Sequence, residues 1–510
     1  MLSCSILLAG LFFCFESSAA ALGAAAVQKP LQYSTTESRD RYTWLACRVI
    51  EGHLPGAVSY PGDLDYTDQQ KHYWLKQQAL LHPICRVSPT VAEDIPIILK
   101  EISVFNVPFA IKSGGHSFVS NVSNIDRGLT IDLDKLDSVE IHGKAVIVGP
   151  GARWRQVYKV LDGFDLSVVG ARAGNVGVGG YLLGGGNSWF SGRAGWACDS
   201  IESLEIVLVN GSIIEVDKYH HPDLYKALKG GGGNLGIITR FVLKVHKQQE
   251  VLTSNIEFEE EAIGDIFQTL EDFDEHAAED PDVAVLPAVV FTAPENFYAS
   301  IMVVQTKDNK KSPLLKRFQS IPHIYSRSKR VRMGTLTSWG EEGGGPYTEY
   351  KATLTIKNNA TLLGECFKIF KSLMDPSELL KDIAYRTAIT VQPLTTQHLI
   401  AGREAGGNIL GFSDKDGPLQ FISIETRFSN TSRFAHHAHT TDAFISQCDA
   451  KAVAMNLSHP FVYLNYASEK QAQDVYRGYG NESLELLRSV REKYDPQNVF
   501  GRLKAGPFKF

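Results

Sequence analysis

No apolar run in this 510-residue chain reaches the roughly 18 residues that a membrane-spanning helix requires. Nor is there an excess of basic residues: 51 Lys and Arg against 57 Asp and Glu leave a formal net charge of −6 and a pI near 6.2. That balance argues against nucleic acid or an anionic membrane surface as partner. Two nucleotide signatures also fall short. "GVGGYLLGGG" (177–186) nearly contains the dinucleotide fingerprint GxGxxG, but "NSWFSGRAGWACD" follows it and makes a poor helix, where the fingerprint must open one. "KGGGGNLG" (229–236) lacks the Lys-Ser/Thr tail of a phosphate-binding P-loop. A nicotinamide Rossmann site and a nucleoside triphosphatase are thereby disfavoured. No internal repeat is present, and no low-complexity tract outside the first residues.

What is there is ordinary in composition, 44% hydrophobic and 21% charged, and long enough for two or three domains. "ILLAGLFFCF" (6–15), followed by "ESSAAALGAAA", has the shape of a secretory signal, assigned to residues 1–20, with small residues for cleavage near Ala19 to Ala25, although no Lys or Arg precedes the apolar block. Its removal takes away Cys4 and Cys14 and leaves Cys47, Cys85, Cys198, Cys366 and Cys448. Cys47 and Cys85 are the expected disulfide, stapling an N-terminal arm; five reduced core cysteines is the alternative. Six N-x-S/T sequons, at Asn121, Asn210, Asn359, Asn430, Asn456 and Asn481, suit a secreted glycoprotein, with Asn210 the doubtful one because it occupies a tight Asn-Gly turn.

The expected organisation is an arm over 21–41, a first α+β part over 42–250, a second domain over 251–454 and a C-terminal segment, 455–510, that returns to the first part. In the first part, Ser88 or Thr90 in "SPTVAEDIPIILKEI" caps a helix with Ile95, Ile98 and Ile102 turned inward. "PFAIK", "GLTIDL" and "AVIVGPG" read as strands, a helix begins near Trp154, and "SLEIVLVNGSIIEVD" is a hairpin about Asn210-Gly211. In the second, "FEEEAIGDIFQTLEDF" sets Ile263, Phe267, Leu270 and Phe273 on one helical face; "AVLPAVVFT", "YASIMVVQT" and "QFISIETRF" are strands. At the end, "FVYLNYA" reads as a strand and "ESLELLRSVREKYDP" as an amphipathic helix carrying Leu484, Leu487, Val490 and Tyr494.

The strand "PFAI" runs straight into Lys112, Ser113, Gly114, Gly115 and His116. Glycines let a backbone approach a ligand and aim several N–H groups at one anion, with Lys112 at hand for charge. With "VGPGARWRQVY", "GNVGVGGYLLGGGNSWFSGRAGWACDSI", "LKGGGGNLGIITRFVLKVH" and "YLNYA…KYDPQNVF" in this order, the chain closely resembles the berberine-bridge-enzyme-like branch of FAD-linked oxidases, of the vanillyl-alcohol-oxidase fold. The resemblance spans nearly the whole mature chain and is vague between about 251 and 415; the signal, the sequons and "CRVIEGHLPGAVSYPG" are similar to fungal members that tailor secondary metabolites or oxidise sugars.

The resemblance implies a two-part FAD-binding domain of PCMH type and a substrate domain with an antiparallel sheet covered by helices. It implies covalent FAD on His116, with Lys112, Ser113, Gly114, Gly115, Ser117, Gly174, Asn175, Gly177, Val178, Gly179, Gly180, Gly184, Gly185, Gly236, Ile237, Tyr463 and Asn465 around the cofactor. Ala173 stands where many relatives carry a second attaching cysteine, so single attachment is expected; Cys198 lies well past that position, and Phe118 lacks the hydroxyl of plant relatives.

The implied reaction moves a hydride from a C–H bond to the flavin while a base takes a proton from the adjacent O–H or N–H, with O2 as acceptor giving H2O2. Tyr466 matches the family's base; its ordinary pKa of about 10 must be lowered by a cation, for which Lys112 and Arg427 are the candidates. Ser423 and Glu425 are further catalytic candidates on a face shared with Phe421 and Arg427, a surface Glu–Arg pair being the alternative. His436, His437 and His439 invite a metal, but no Cys or carboxylate stands at ligand spacing, so none is expected. The expectation is a secreted monomeric oxidase of a small molecule. The alternatives are a flavoprotein that couples oxidation to a cyclisation, and a redox-inactive binding protein on the same fold.

Overall fold

The computed structural model describes residues 36–292, 296–307, 312–339, 347–382, 384–413 and 415–510. The expected signal and most of the arm lie outside them. The strands read from "PFAIK" and "GLTIDL" become β3 (Phe109–Lys112) and β4 (Leu129–Asp132), parallel neighbours in a sheet of order β1-β2-β4-β3 with β1 (Val58–Ser59) and β2 (Cys85–Val87). β4 is buried along its whole length, Thr130 and Asp132 included. Helices Thr36–His53 and Asp94–Phe105 pack on this sheet through Cys47, Ile50, Ile95, Ile98 and Ile102. A Cys47–Cys85 disulfide ties the first helix to β2, while Cys198, Cys366 and Cys448 are buried free thiols. The second helix is not capped by Ser88 or Thr90. Asp94, in its first turn, instead accepts from the Thr90 and Val91 amides at 2.8 and 3.2 Å, a charge well placed against the helix N-terminus.

A second, antiparallel sheet has the order β5-β6-β10-β8-β9, with β5 Val139–His142, β6 Ala145–Val148, β8 Ile201–Val207, β9 Ile213–Asp217 and β10 Ile237–Lys244; a small ribbon pairs β7 (Leu166–Ser167) with β11 (His246–Lys247). The Asn210-Gly211 turn closes the β8–β9 hairpin, Gly211 at φ +85°.

Residues 251–459 supply an eight-stranded antiparallel sheet of order β15-β12-β14-β13-β17-β18-β16-β19. Its strands are β12 Val251–Glu259, β13 Val283–Thr292, β14 Asn296–Gln305, β15 Tyr325–Val331, β16 Thr348–Lys357, β17 Arg386–Leu394, β18 Leu419–Phe428 and β19 Ser458–His459. Alternation sorts its faces. Ala352, Leu354 and Ile356, Ile389 and Val391, and Ile422 and Ile424 lie in one core with residues of helices Ile263–His276, Ala360–Leu373 and Phe434–Ala454. Lys351, Gln392, Phe421, Ser423 and Glu425 take the opposite parity, and Phe421 joins the core of the second sheet.

The C-terminal stretch returns to the first two sheets. "FVYLNYA" is not a strand but a turn: the Tyr466 and Ala467 amides both donate to the Tyr463 carbonyl, at 2.9 and 3.0 Å. Its rings are fixed by aromatic packing rather than a ladder, Tyr463 stacking on Phe421 at 5.5 Å and 6°. Helix Asn481–Tyr494 follows; then Asp495 accepts from the Val499 and Phe500 amides and starts a short helix, Val499–Leu503. The chain finally runs beside β3, with the Ala505 amide donating to the Phe109 carbonyl at 2.6 Å.

Candidate active site

The loop after β3 is stitched to the second glycine run. The Ser113 hydroxyl donates to the Pro150 carbonyl at 2.6 Å and accepts from the Gly179 amide at 3.2 Å. Gly114 and Gly177 touch backbone to backbone: a Cβ on Gly177 would lie 2.3 Å from the Gly114 nitrogen, and one on Gly114 2.4 Å from the Gly177 nitrogen. Only glycine permits that crossing. His116 emerges from it stacked on Trp74, centroids 4.6 Å apart and planes 12° apart, with Nε2 3.3 Å from Asn175 Oδ1. Burial, reinforced by the Arg153 cation, lowers its pKa to about 4, so the imidazole is neutral at ordinary pH and keeps a nitrogen lone pair.

Lys112 does not join this loop in facing a ligand. Its ammonium lies 2.9 Å from both Asp132 oxygens across the β3–β4 pair, and Arg86 reaches the same carboxylate at 3.3 Å. A lysine leaving an otherwise apolar strand is directed inward by the pleat and needs this internal counter-ion.

A cavity of about 420 Å³ opens along the loop. From the cofactor set expected above, Ser113, Gly114, Gly115, His116 and Ser117 line it, as do Gly177, Gly179, Gly180, Gly236, Ile237, Tyr463 and Asn465. Gly174, Val178, Gly184 and Gly185 stand behind that wall, with Val178 wholly buried, and Asn175 touches the site only through His116. Gly180 and Gly233 present backbone with nothing within 4 Å of where a Cβ would stand, and among the described residues no Asp or Glu lines the cavity, whereas Arg172, Lys351 and Lys504 do. Bare backbone, apolar walls and cations in the lining fit FAD, an anionic dinucleotide with a flat ring system. Ala173 lines the wall where a second attaching thiol would stand.

At one end sits Tyr466. Arg172 Nη2 donates to its hydroxyl at 2.9 Å and to Gln392 Oε1 at 2.5 Å. The Lys351 ammonium stands 4.1 Å from the centre of the Tyr466 ring and 4.7 Å from that of Phe118. Burial alone would raise the phenol's pKa, but Arg172 and then Lys351 outweigh it, and it falls below its ordinary value of 10.0. These are not the cations anticipated: Lys112 is held by Asp132, and Arg427 Nε donates to Glu349 at 2.6 Å. Glu425 does not pair with Arg427 either; it accepts from Lys351 at 3.1 Å across the β16–β18 register. Burial would raise the Glu425 carboxyl, yet Lys351 holds it low, while burial and the Glu425 charge push the Glu349 carboxyl up to about 7. Ser423 is shut in behind this face, its hydroxyl 2.7 Å from that of Thr390, and like Glu425 it does not line the cavity. Neither Arg172 nor Lys351 was singled out from the sequence: Arg172 offered only its place as a cation beside a glycine-rich stretch, and Lys351 carried no signal.

Away from the cavity, the Glu378 carboxylate approaches His436 and His437 at 3.9 and 4.0 Å, but Arg433 and Lys381 already hold it at 2.6 and 2.7 Å, and His439 is exposed.

Residues 83–217 match the family model described as FAD binding domain, and residues 462–503 the model described as berberine and berberine like. The chain is 32% identical over 489 residues to the FAD-dependent monooxygenase tpcD of Cochliobolus heterostrophus, covering 91% of this chain and 93% of that protein. It is also 32% identical over 455 residues to the FAD-dependent monooxygenase FUP4 of Fusarium proliferatum, covering 86% and 87%. Among solved structures, the glucooligosaccharide oxidase of Acremonium strictum superposes with a TM-score of 0.73 at 19% identity, covering 92% of this chain and 100% of that one. The xylooligosaccharide oxidase of Myceliophthora thermophila does so at 0.70 and 19%, covering 91% and 98%.

Proposed function

The chain belongs to the berberine-bridge-enzyme-like FAD-linked oxidoreductases, and from that premise we propose that it binds FAD covalently through His116 and oxidises a small organic substrate with Tyr466 as base. Bound flavin supplies a two-electron acceptor for the hydride of a substrate C–H bond. The protein supplies position and proton transfer. Trp74 and Asn175 hold a neutral His116 ring at the turn, so that a nitrogen lone pair is available for attachment. Tyr466 takes the proton of the substrate O–H or N–H next to the reacting carbon. One observation carries this reading: the Tyr466 hydroxyl meets Arg172 at 2.9 Å with the Lys351 ammonium against its ring, two cations that stabilise the phenolate. Glu425 keeps Lys351 in place, and Gln392 does the same for Arg172.

O2 is the acceptor in this proposal, and the molecule is a monomer of the secretory pathway. Among the described residues no helix is long and apolar enough to cross a membrane, and the Cys47–Cys85 disulfide suits an oxidising compartment.

Acid precipitation tests the attachment: wild type gives a yellow pellet and His116→Ala a colourless one. Tyr466→Phe keeps the yellow pellet and loses about 10²–10⁴-fold in kcat. A colourless wild-type pellet, or a Tyr466→Phe enzyme of full activity, overturns the corresponding half. The names of the two curated relatives favour a second outcome, oxygen insertion. Turnover under ¹⁸O2 decides between them, since insertion labels the product and simple oxidation labels only the peroxide.

A further inference from the structure

Arg172 and Lys351 spend their charge on Tyr466 and Glu425, but the third cation lining the cavity has no such partner. Lys504 follows the helix Val499–Leu503, where the C-terminal stretch runs beside β3. Its ammonium donates to the Ala505 carbonyl, at 3.3 Å, and hydrogen-bonds the Lys509 side chain, but among the described residues no carboxylate stands within ion-pair distance. Lys509 ties off that helix: its side-chain nitrogen donates to the Phe500 and Lys504 carbonyls at 2.9 and 2.6 Å. Burial brings Lys504 down to about 8; burial and the Lys504 charge bring Lys509 to about 6. A cation in such a place is costly until an anion arrives.

The diphosphate is the anionic part of FAD, and Lys112, the lysine that the glycine motif offers it, is locked to Asp132. We propose that Lys504 is the counter-charge of the FAD diphosphate and makes the cavity prefer the dinucleotide to riboflavin. This assignment rests on FAD occupying the cavity, not on the bond to His116. Backbone amides of the glycine loops supply hydrogen bonds to the phosphates, and Lys504 supplies the formal charge that amides lack.

A covalent bond would hide the affinity, so the measurement uses the full chain carrying His116→Ala, freed of flavin and titrated with FAD, ADP and riboflavin at low and high salt. Adding Lys504→Met weakens FAD and ADP at least tenfold, flattens their salt dependence and changes riboflavin less than twofold; Lys504→Arg restores FAD. Unchanged FAD affinity, or an equal loss for FAD and riboflavin, overturns the assignment. If Lys504→Met does not fold, the His116→Ala chain alone suffices. ADP binding near pH 8, measured calorimetrically in two buffers, takes up protons as Lys504 regains its charge, and riboflavin binding takes up none; equal uptake for both ligands, or none for ADP, overturns it. Dissociable flavin in the wild type would end the covalent reading and leave this one standing.

Discussion

At the scale of single residues, the proposed chemistry rests on a phenol made more acidic by two cations. Lys351 acts on Tyr466 through its charge alone, standing over the ring without bonding the hydroxyl. Replacing it with Met removes one lowering influence while burial continues to raise the pKa. Tyr466 must be ionised to act as base, so the acidic limb of kcat/KM moves to higher pH, by roughly one unit for an opposite charge at this distance. The pH profile of Lys351→Met checks this, and an unmoved limb would separate Lys351 from the base. His116 was legible because four unusual residues surround it in eleven. Arg172 and Lys351 were not assigned, because what gives them meaning is a tyrosine 294 and 115 positions away that no local pattern links to them.

At the scale of elements, strands and amphipathic helices with strong periodicity were plain, as was the Asn210-Gly211 hairpin. The misreadings share a cause. "FVYLNYA" has strand composition, yet its rings are buried by stacking and its amides turn back on Tyr463. Lys112 sits in a ligand-binding motif, yet strand pleat sends it to Asp132. In both, tertiary packing overrides local pattern. The crossing of Gly114 over Gly177 is the element on which the cofactor loop depends. Gly177→Ala places a methyl 2.3 Å from a backbone nitrogen, so the loops must part. The expected outcome is soluble protein with little covalent flavin and a lower melting temperature, read by acid precipitation and thermal melting; normal flavin content would show that the loops yield freely.

At the scale of the whole molecule, all three large sheets and the C-terminal segment wall one cavity: Ile111 from the first, Ile237 and Ile238 from the second, Lys351 from the third, and Tyr463 to Phe508 from the last. A ligand there couples their stabilities. In the His116→Ala chain, FAD at a hundredfold over Kd adds about 2.7 kcal/mol, so differential scanning calorimetry shows a single transition moving up with FAD. Sheets that melt separately, with only one responding, would refute the coupling. The order of the three sheets was not readable beforehand, since each closes through contacts between distant segments.

The hydrogen bond between Arg172 and Tyr466 joins residues 294 positions apart, and Phe508, later still in the sequence, lines the same cavity. At about 5–20 residues per second of synthesis, roughly 15–60 seconds pass between the birth of one partner and the arrival of the other. A ribosome that has not yet reached Tyr466 therefore carries His116 without the wall that closes over it. On the proposed attachment, cofactor loading waits for the segment that carries Tyr463 and Tyr466, and a chain stalled before it would leave the ribosome colourless.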